Sequence, residues 1–320
     1  MKGFNADAQV DPHFTQFYAY PLWLNPGMTG VMDGSVRITG LYRSQWSDVM
    51  VPFNTAGLSL DVSTEKNINF GASFMNQSAG DAGYKYLNAY GSIAYSGVKF
   101  GTDNNQHITI GIQAGLLSRR FDPSKFQYGD QWNPVTGFDP GTPSADRINY
   151  TSVAVLDLGA GISYYDATPD KKVSLFGGAA AFHLTKPEDP FYSAGSKQYL
   201  PVRYTFHAGA RINVNDMLSV TPNVLYLRQG NASEQMVGLF AQLRANDYTD
   251  LLFGANYRVK DAIAPYVGVA FHNFVLGASY DVNTSDLGKS VTGTNSMEIS
   301  FTYIGRKSGK PLRYLGCPRF

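Results

Sequence analysis

Apolar and polar residues alternate one by one over long stretches of this chain. Ile108, Ile110, Ile112, Ala114 and Leu116 interleave with His107, Thr109, Gly111, Gln113 and Gly115. Val202, Tyr204, Phe206, Ala208, Ala210 and Ile212 stand against Arg203, Thr205, His207, Gly209, Arg211 and Asn213. Met297, Ile299, Phe301 and Tyr303 stand against Glu298, Ser300 and Thr302. A period of two marks a strand with one face in an apolar environment and the other in a polar one. Fourteen such segments are predicted, at about 34–43, 53–63, 67–77, 86–99, 105–118, 152–166, 172–184, 201–214, 218–228, 235–245, 249–259, 263–271, 274–283 and 295–304. Helical periodicity is hard to find anywhere.

The connections between these segments sort by parity. After even-numbered strands they are short: Ser63–Asn67, Gly101–Asn105, Ala167–Lys171, Asn215–Leu218, Asn246–Tyr248 and His272–Asn273. Most of those after odd-numbered strands are longer, above all Arg119–Thr151 and Thr185–Leu200. Bacterial outer-membrane barrels combine an even strand number with short periplasmic turns and longer extracellular loops. A soluble sandwich has no reason to sort its loops this way. The expected fold is all-β: a transmembrane antiparallel up-and-down barrel of about 14 strands in the outer membrane, with both termini periplasmic.

Composition supports the same reading. Of 320 residues, 20 are Phe, 21 Tyr, 3 Trp and 33 Gly, while only 16% are charged, against roughly 25% in an ordinary soluble domain. A helical membrane protein would show runs of about 18 or more apolar residues, and none is present. The net charge of +1 leaves no electrostatic footprint for nucleic acid. A single cysteine, Cys317, excludes an internal disulfide framework and a cysteine-based zinc site.

Four regions follow. Residues 1–8 read as a residual signal segment, because Ala6-Asp7-Ala8 has the form of a signal-peptidase site without the apolar stretch that should precede it. Residues 9–33 form an N-terminal plug or strap, 34–304 the barrel, and 305–320 a short basic periplasmic tail with Arg306, Lys307, Lys310, Arg313 and Arg319. The stretch 9–33 is too polar and too broken by proline to span a membrane, yet too aromatic to be left in water. It is expected to pack Phe14, Phe17, Trp23 and Asn25 against the barrel mouth or inside the lumen.

No catalytic signature is present: no H-E-x-x-H, G-x-S-x-G or Walker loop. No cofactor or metal site is expected. The histidines are dispersed without ligand-like spacing, and His207 faces the lumen, where an embedded hydrolase is a distant alternative. Arg37, Asp61, Asp157, Arg203, Arg211, Arg258 and Glu298 fall on the polar faces of their strands. Charge on a lipid face is costly, so these residues are expected to form a lumen network, either filling the barrel or lining a channel. The long loop after strand 5 carries Phe126, Tyr128, Trp132 and Phe138 among Pro, Gly and Asp, and exposed aromatics of this kind anchor partners. Its acidic residues match no EF-hand spacing.

Both ends of the chain carry a resemblance. Asp11-Pro12-His13-Phe14-Thr15-Gln16-Phe17, then Asn25-Pro26-Gly27-Met28-Thr29-Gly30, then Tyr42-Arg43-Ser44-Gln45-Trp46, and at the end Cys317-Pro318-Arg319-Phe320, resemble the PorP/SprF family of outer-membrane proteins of the Bacteroidetes type IX secretion system. The resemblance implies a non-enzymatic partner or anchor that binds the C-terminal sorting domain of a large secreted adhesin and supports its export and surface attachment, as in gliding motility. It also implies contacts with periplasmic ring components of the secretion machine. Phe126, Tyr128, Trp132, Phe138, Cys317, Arg319 and Phe320 are the expected partner-binding residues. The alternative reading is an outer-membrane transport channel for small or hydrophobic substrates.

Overall fold

The computed structural model of the protein describes residues 11–46, 51–64, 66–80, 83–144, 151–189, 198–285 and 294–306. Among them, fourteen long antiparallel strands follow one another along the chain. They are β1 (Val36–Gln45), β2 (Phe53–Val62), β3 (Ile68–Ala79), β4 (Tyr84–Phe100), β5 (Gln106–Arg120), β6 (Ser152–Asp166) and β7 (Val173–Phe182). There follow β8 (Arg203–Asn213), β9 (Leu218–Gln229), β10 (Ala232–Asn246), β11 (Thr249–Arg258), β12 (Ala262–Phe271), β13 (Phe274–Asn283) and β14 (Ser296–Gly305). Each pairs with its neighbours in sequence, and β1 closes the ring on β14 from Val36↔Gly305 to Gln45↔Ser296. The expected all-β meander of fourteen strands is met strand for strand.

Alternation decides which side chain faces where. On β2, Leu58 and Leu60 point outward while Ser59 and Asp61 are buried within. On β5, Ile110 and Ile112 point outward against buried Thr109 and Gln113. The outer face is thus an apolar band, because an arginine or lysine at the bilayer midplane would cost about 2–4 kcal/mol. Closure of the ring sets each strand between two neighbours, which pairs most of the wall's backbone groups as lipid requires. No helix among the described residues is long and apolar enough to cross a membrane.

The long connections, 46–52, 121–151, 183–202 and 284–295, all leave the same end of the barrel, called here the loop end. The connections after even-numbered strands are short and define the turn end. Parity is not strict at the loop end, where 80–83, 230–231 and 259–261 are tight as well. Gly230 takes φ +60° in the two-residue Gly230-Asn231 hairpin, a conformation that glycine adopts without strain. The two ends of the barrel wall, Val36 and Gly305, meet at the turn end.

A lumen occupied by the N-terminal segment

Residues 11–31 run down the inside of the barrel and are almost entirely buried, Phe14, Leu24, Asn25 and Thr29 completely so. Asp11 lies toward the loop end, where its N–H donates to the Gln229 side chain at 3.2 Å. From there the chain descends through three short helical turns, Phe17–Ala19, Pro21–Leu24 and Pro26–Met28. Proline opens the second and third, where its missing N–H costs nothing. The Asn25 side chain caps the last turn by accepting from Gly27 N at 2.8 Å. Phe14 sits edge-on to both Tyr20 and Trp23, so the segment has an aromatic core of its own.

Three groups of inward side chains grip this segment. The first holds its start: Asp11 Oδ2 lies 2.6 Å from His183 Nε2, and His183 Nδ1 lies 2.7 Å from Asp157 Oδ2. The Tyr86 hydroxyl donates to Asp11 and the Tyr90 hydroxyl to Asp157. Arg203 lies 3.3 Å from Asp11, donates to Trp23 O at 3.0 Å, and stacks over the Trp23 and Phe182 rings. Burial alone would raise the Asp11 carboxyl, but His183 and Arg203 beside it hold it well below the usual carboxylate range.

The second group holds the middle. Glu298 accepts from the backbone N–H of Thr15 at 2.6 Å and of Gln16 at 2.9 Å, and pairs with Arg43. Asp281 accepts from the Thr15 hydroxyl at 2.8 Å, from Arg43 at 3.0 Å and from Arg258 at 2.6 Å. Asn256 donates to Thr15 O at 2.9 Å. The third group holds the end: Arg37 reaches Asp61 through two nitrogens, at 3.0 and 2.8 Å, and donates to the carbonyls of Met28 and Val31. Asp61 accepts in turn from Gly30 N at 2.7 Å. Buried charges of this kind are tolerated only when paired and hydrogen-bonded.

Glycines make the close approach possible. A Cβ on Gly161 would stand 2.0 Å from Asn25 Oδ1, and one on Gly111 would stand 2.2 Å from Pro26 O. Asn25 can therefore lie against the wall and donate to Ile162 O at 2.9 Å, with His207 Nε2 3.3 Å from its amide. Between segment and wall, three cavities of about 20, 30 and 10 Å³ persist, each room for a water molecule or two at most.

All seven charged residues expected on inner faces are buried there, and six of them join the three groups. Arg211 is buried on β8 apart from them. Sequence reasoning missed Arg43, Asp281, Asp11 and His183. Parity contained a signal for two of them, since Arg43 shares the inner face of β1 with Arg37, and Asp281 that of β13 with Ser279. Asp11 lies outside the strands, and His183, expected within the segment 172–184, follows the end of β7 at φ +58°, where strand parity no longer holds. No group of His, Cys, Asp or Glu suited to a metal ion occurs among the described residues.

The long loop is ordered by its own contacts. Phe121, Phe126 and Tyr128 form a chain of rings, and Trp132 pairs with Phe138 across a two-residue ladder. Gln131 ties the loop together, accepting from Tyr128 N at 3.1 Å and donating to Thr142 O at 2.7 Å. Trp132 is 55% exposed and Val135 91%, so the tip presents an apolar surface at the loop end. Residues 1–8 and the tail residues Cys317, Arg319 and Phe320 lie outside the described residues.

Two solved structures share the fold. The Ralstonia pickettii toluene transporter TbuX is 11% identical with a TM-score of 0.51, over 89% of this chain and 93% of the transporter. A deltaS2S3 mutant of the TodX monoaromatic hydrocarbon channel is 10% identical with a TM-score of 0.51, over 88% and 93%. At that identity the likeness is one of barrel architecture alone. No curated protein matches the sequence. The model of the type IX secretion system membrane proteins PorP/SprF matches residues 6–303, spanning the lumen segment and all but the last two residues of the barrel wall, and the chain belongs to that family.

Proposed function

We propose that this protein is a non-conducting outer-membrane partner of type IX secretion. In this reading it binds the C-terminal sorting domain of a large secreted adhesin at its loop end and supports that adhesin's export and attachment, as in gliding motility. The observation that carries the reading is the occupied lumen. Twenty-one residues, 11–31, occupy the lumen and are gripped by buried charged and polar groups at three heights, with cavities of about 20, 30 and 10 Å³ beside them. A transport channel needs a path for its substrate; an anchor needs a rigid, closed body and a surface for its partner. Trp132 and Val135 offer that surface, and exposed aromatic anchors dominate interface energetics. The loop end is then extracellular and the turn end periplasmic, within reach of ring components of the secretion machine.

The test is affinity purification of the tagged protein from a strain that secretes surface adhesins. One large adhesin should co-purify, and removal of residues 124–141 should abolish its recovery while the barrel still assembles. Recovery of the barrel alone from such a strain would overturn the reading.

A further inference from the structure

Among the described residues, one strand of the wall is paired along a long stretch on one side only. β6 pairs with β5 along its whole length, up to Arg120↔Ser152 at the loop end. On its other side β6 pairs with β7 only from Tyr165↔Phe176 to Ala160↔Ala181. Beyond Phe182 the chain turns away: His183 takes φ +58° and Lys186 φ +45°. Further along the connection, Asp189 meets Arg119 of β5 at 2.7 Å. Among the described residues, the outer half of β6 is therefore a sheet edge.

The backbone groups along that edge can be followed one by one. Leu158 O accepts from Leu184 N at 3.0 Å, which fixes the even-numbered residues as those facing the opening. Leu158 N is taken by the Asp157 carboxylate at 2.9 Å, and Leu156 O by the Thr185 hydroxyl at 3.1 Å. Among the described residues, nothing accepts from Leu156 N or Ala154 N on that side, and nothing donates to Ala154 O. Leu156 is 72% exposed, the most exposed large side chain of the outer wall. On the inner face, Val153 and Val155 line the gap beside Asp157. Natural barrels abolish free edges, and an edge that persists is a template for strand addition.

We propose that the edge of β6 from Ser152 to Leu156 is a docking site for an extended polypeptide segment, which adds to the wall as an antiparallel strand. The free groups recur every second residue and ask for backbone partners, which an extended peptide supplies and a lipid acyl chain does not. The occupant carries apolar residues at alternate positions, to lie beside Leu156 and Ala154 on the outer face. This deepens the functional reading above, on which it rests, by placing part of the secreted partner in the wall itself.

The experiment uses the full-length barrel in detergent micelles and a fluorescein-labelled peptide of alternating valine and threonine with two terminal lysines. A second peptide carries proline at its centre. Ala154→Pro removes an N–H that bonds to none of the described residues, so the barrel should fold, as judged by its heat-modifiable migration on a gel. Expected is saturable binding of the alternating peptide with slowed amide exchange at Ala154 and Leu156. That binding should weaken at least tenfold with Ala154→Pro and with the proline peptide. Equal binding of both peptides, or edge amides that exchange as fast with peptide as without, would overturn the proposal. So would a dimer whose edge amides are already protected, because a second copy would then be the occupant. If Ala154→Pro does not fold, the proline peptide and the exchange rates still decide. Loss of adhesin recovery on removing the 124–141 loop, with recovery untouched by Ala154→Pro, would sink this inference and leave the functional reading standing. Failure of any adhesin to co-purify would do the reverse, since the peptide measurement stands apart from it.

Discussion

The Glu298 carboxylate on β14 accepts the backbone N–H of Thr15 at 2.6 Å, with its second oxygen on Gln16 N at 2.9 Å. A wall residue thereby captures the main chain of the lumen segment rather than a side chain. Arg43 neutralises the same carboxylate from β1, and Asp281 ties Arg43 to Arg258 on β11. The segment is held by a network whose members come from strands on both sides of the barrel's closing seam.

Removing Glu298 should therefore release the segment. Glu298→Ala leaves two N–H groups and the Arg43 guanidinium buried without this partner, and breaking a buried pair costs about 3–5 kcal/mol. Limited proteolysis should cut between residues 11 and 31 in the variant and spare the wild type, while the barrel wall stays resistant. Equal protection of both would show that Glu298 does not hold the segment.

Glycine contacts give a sharper steric prediction. Gly111→Ala would drive a methyl into the Pro26 carbonyl, and overpacking of this kind costs about 1–3 kcal/mol. Gly91→Ala faces open space, with no heavy atom within 4 Å, and should be close to neutral. Unfolding midpoints of the two variants in denaturant should separate in that order.

Seating of the segment should also depend on pH through His13. The imidazole is buried near Arg43, Arg258 and Glu234, with Nε2 3.4 Å from Arg43 Nη2 and Nδ1 4.0 Å from Glu234. Burial first, and then the Arg258 and Arg43 charges, hold it well below the usual histidine range, so the seated form is neutral. Glu234 on the other side of the ring, at 4.0 Å, does not reverse that direction. A depressed folded value means the free segment takes up the proton first. Seating is then full above about pH 6.5 and weakens below it by up to about 1.4 kcal/mol per pH unit for one proton. Protection factors at His13–Gln16, corrected for the intrinsic pH dependence of exchange, should fall between pH 7.5 and 5.5, and His13→Asn should flatten that response. An unchanged wild-type response would remove His13 from the account.

In the long loop, Gln131→Ala should loosen the tip without touching the wall. It deletes the two hydrogen bonds that join Tyr128 to Thr142, each worth about 0.5–1.5 kcal/mol. Adhesin recovery should fall several-fold while the unfolding midpoint of the barrel stays within error. A parallel loss of both would mean the loop acts on assembly rather than binding.

Much of this was legible in the sequence, for a physical reason. A barrel wall in lipid imposes period two on every strand, so strand number, inner face and the burial of Arg37, Asp61 and Glu298 followed from alternation alone. Alternation also marked the inner side of Arg43 and Asp281, though not that they meet. The pairing of Asp11 with His183 was beyond reach, because neither residue sits in a strand and 172 positions separate them. The gap beside β6 was invisible for a related reason. Alternation reports which face a side chain takes, and says nothing of whether the backbone has a neighbour.

The central claim is that the lumen is occupied in the working protein. Single-channel recording of the purified wild type in planar bilayers tests it most directly, with Glu298→Ala alongside. A silent wild type and intermittent openings in the variant are expected. Steady open conductance from the wild type would contradict the claim and favour a transport channel.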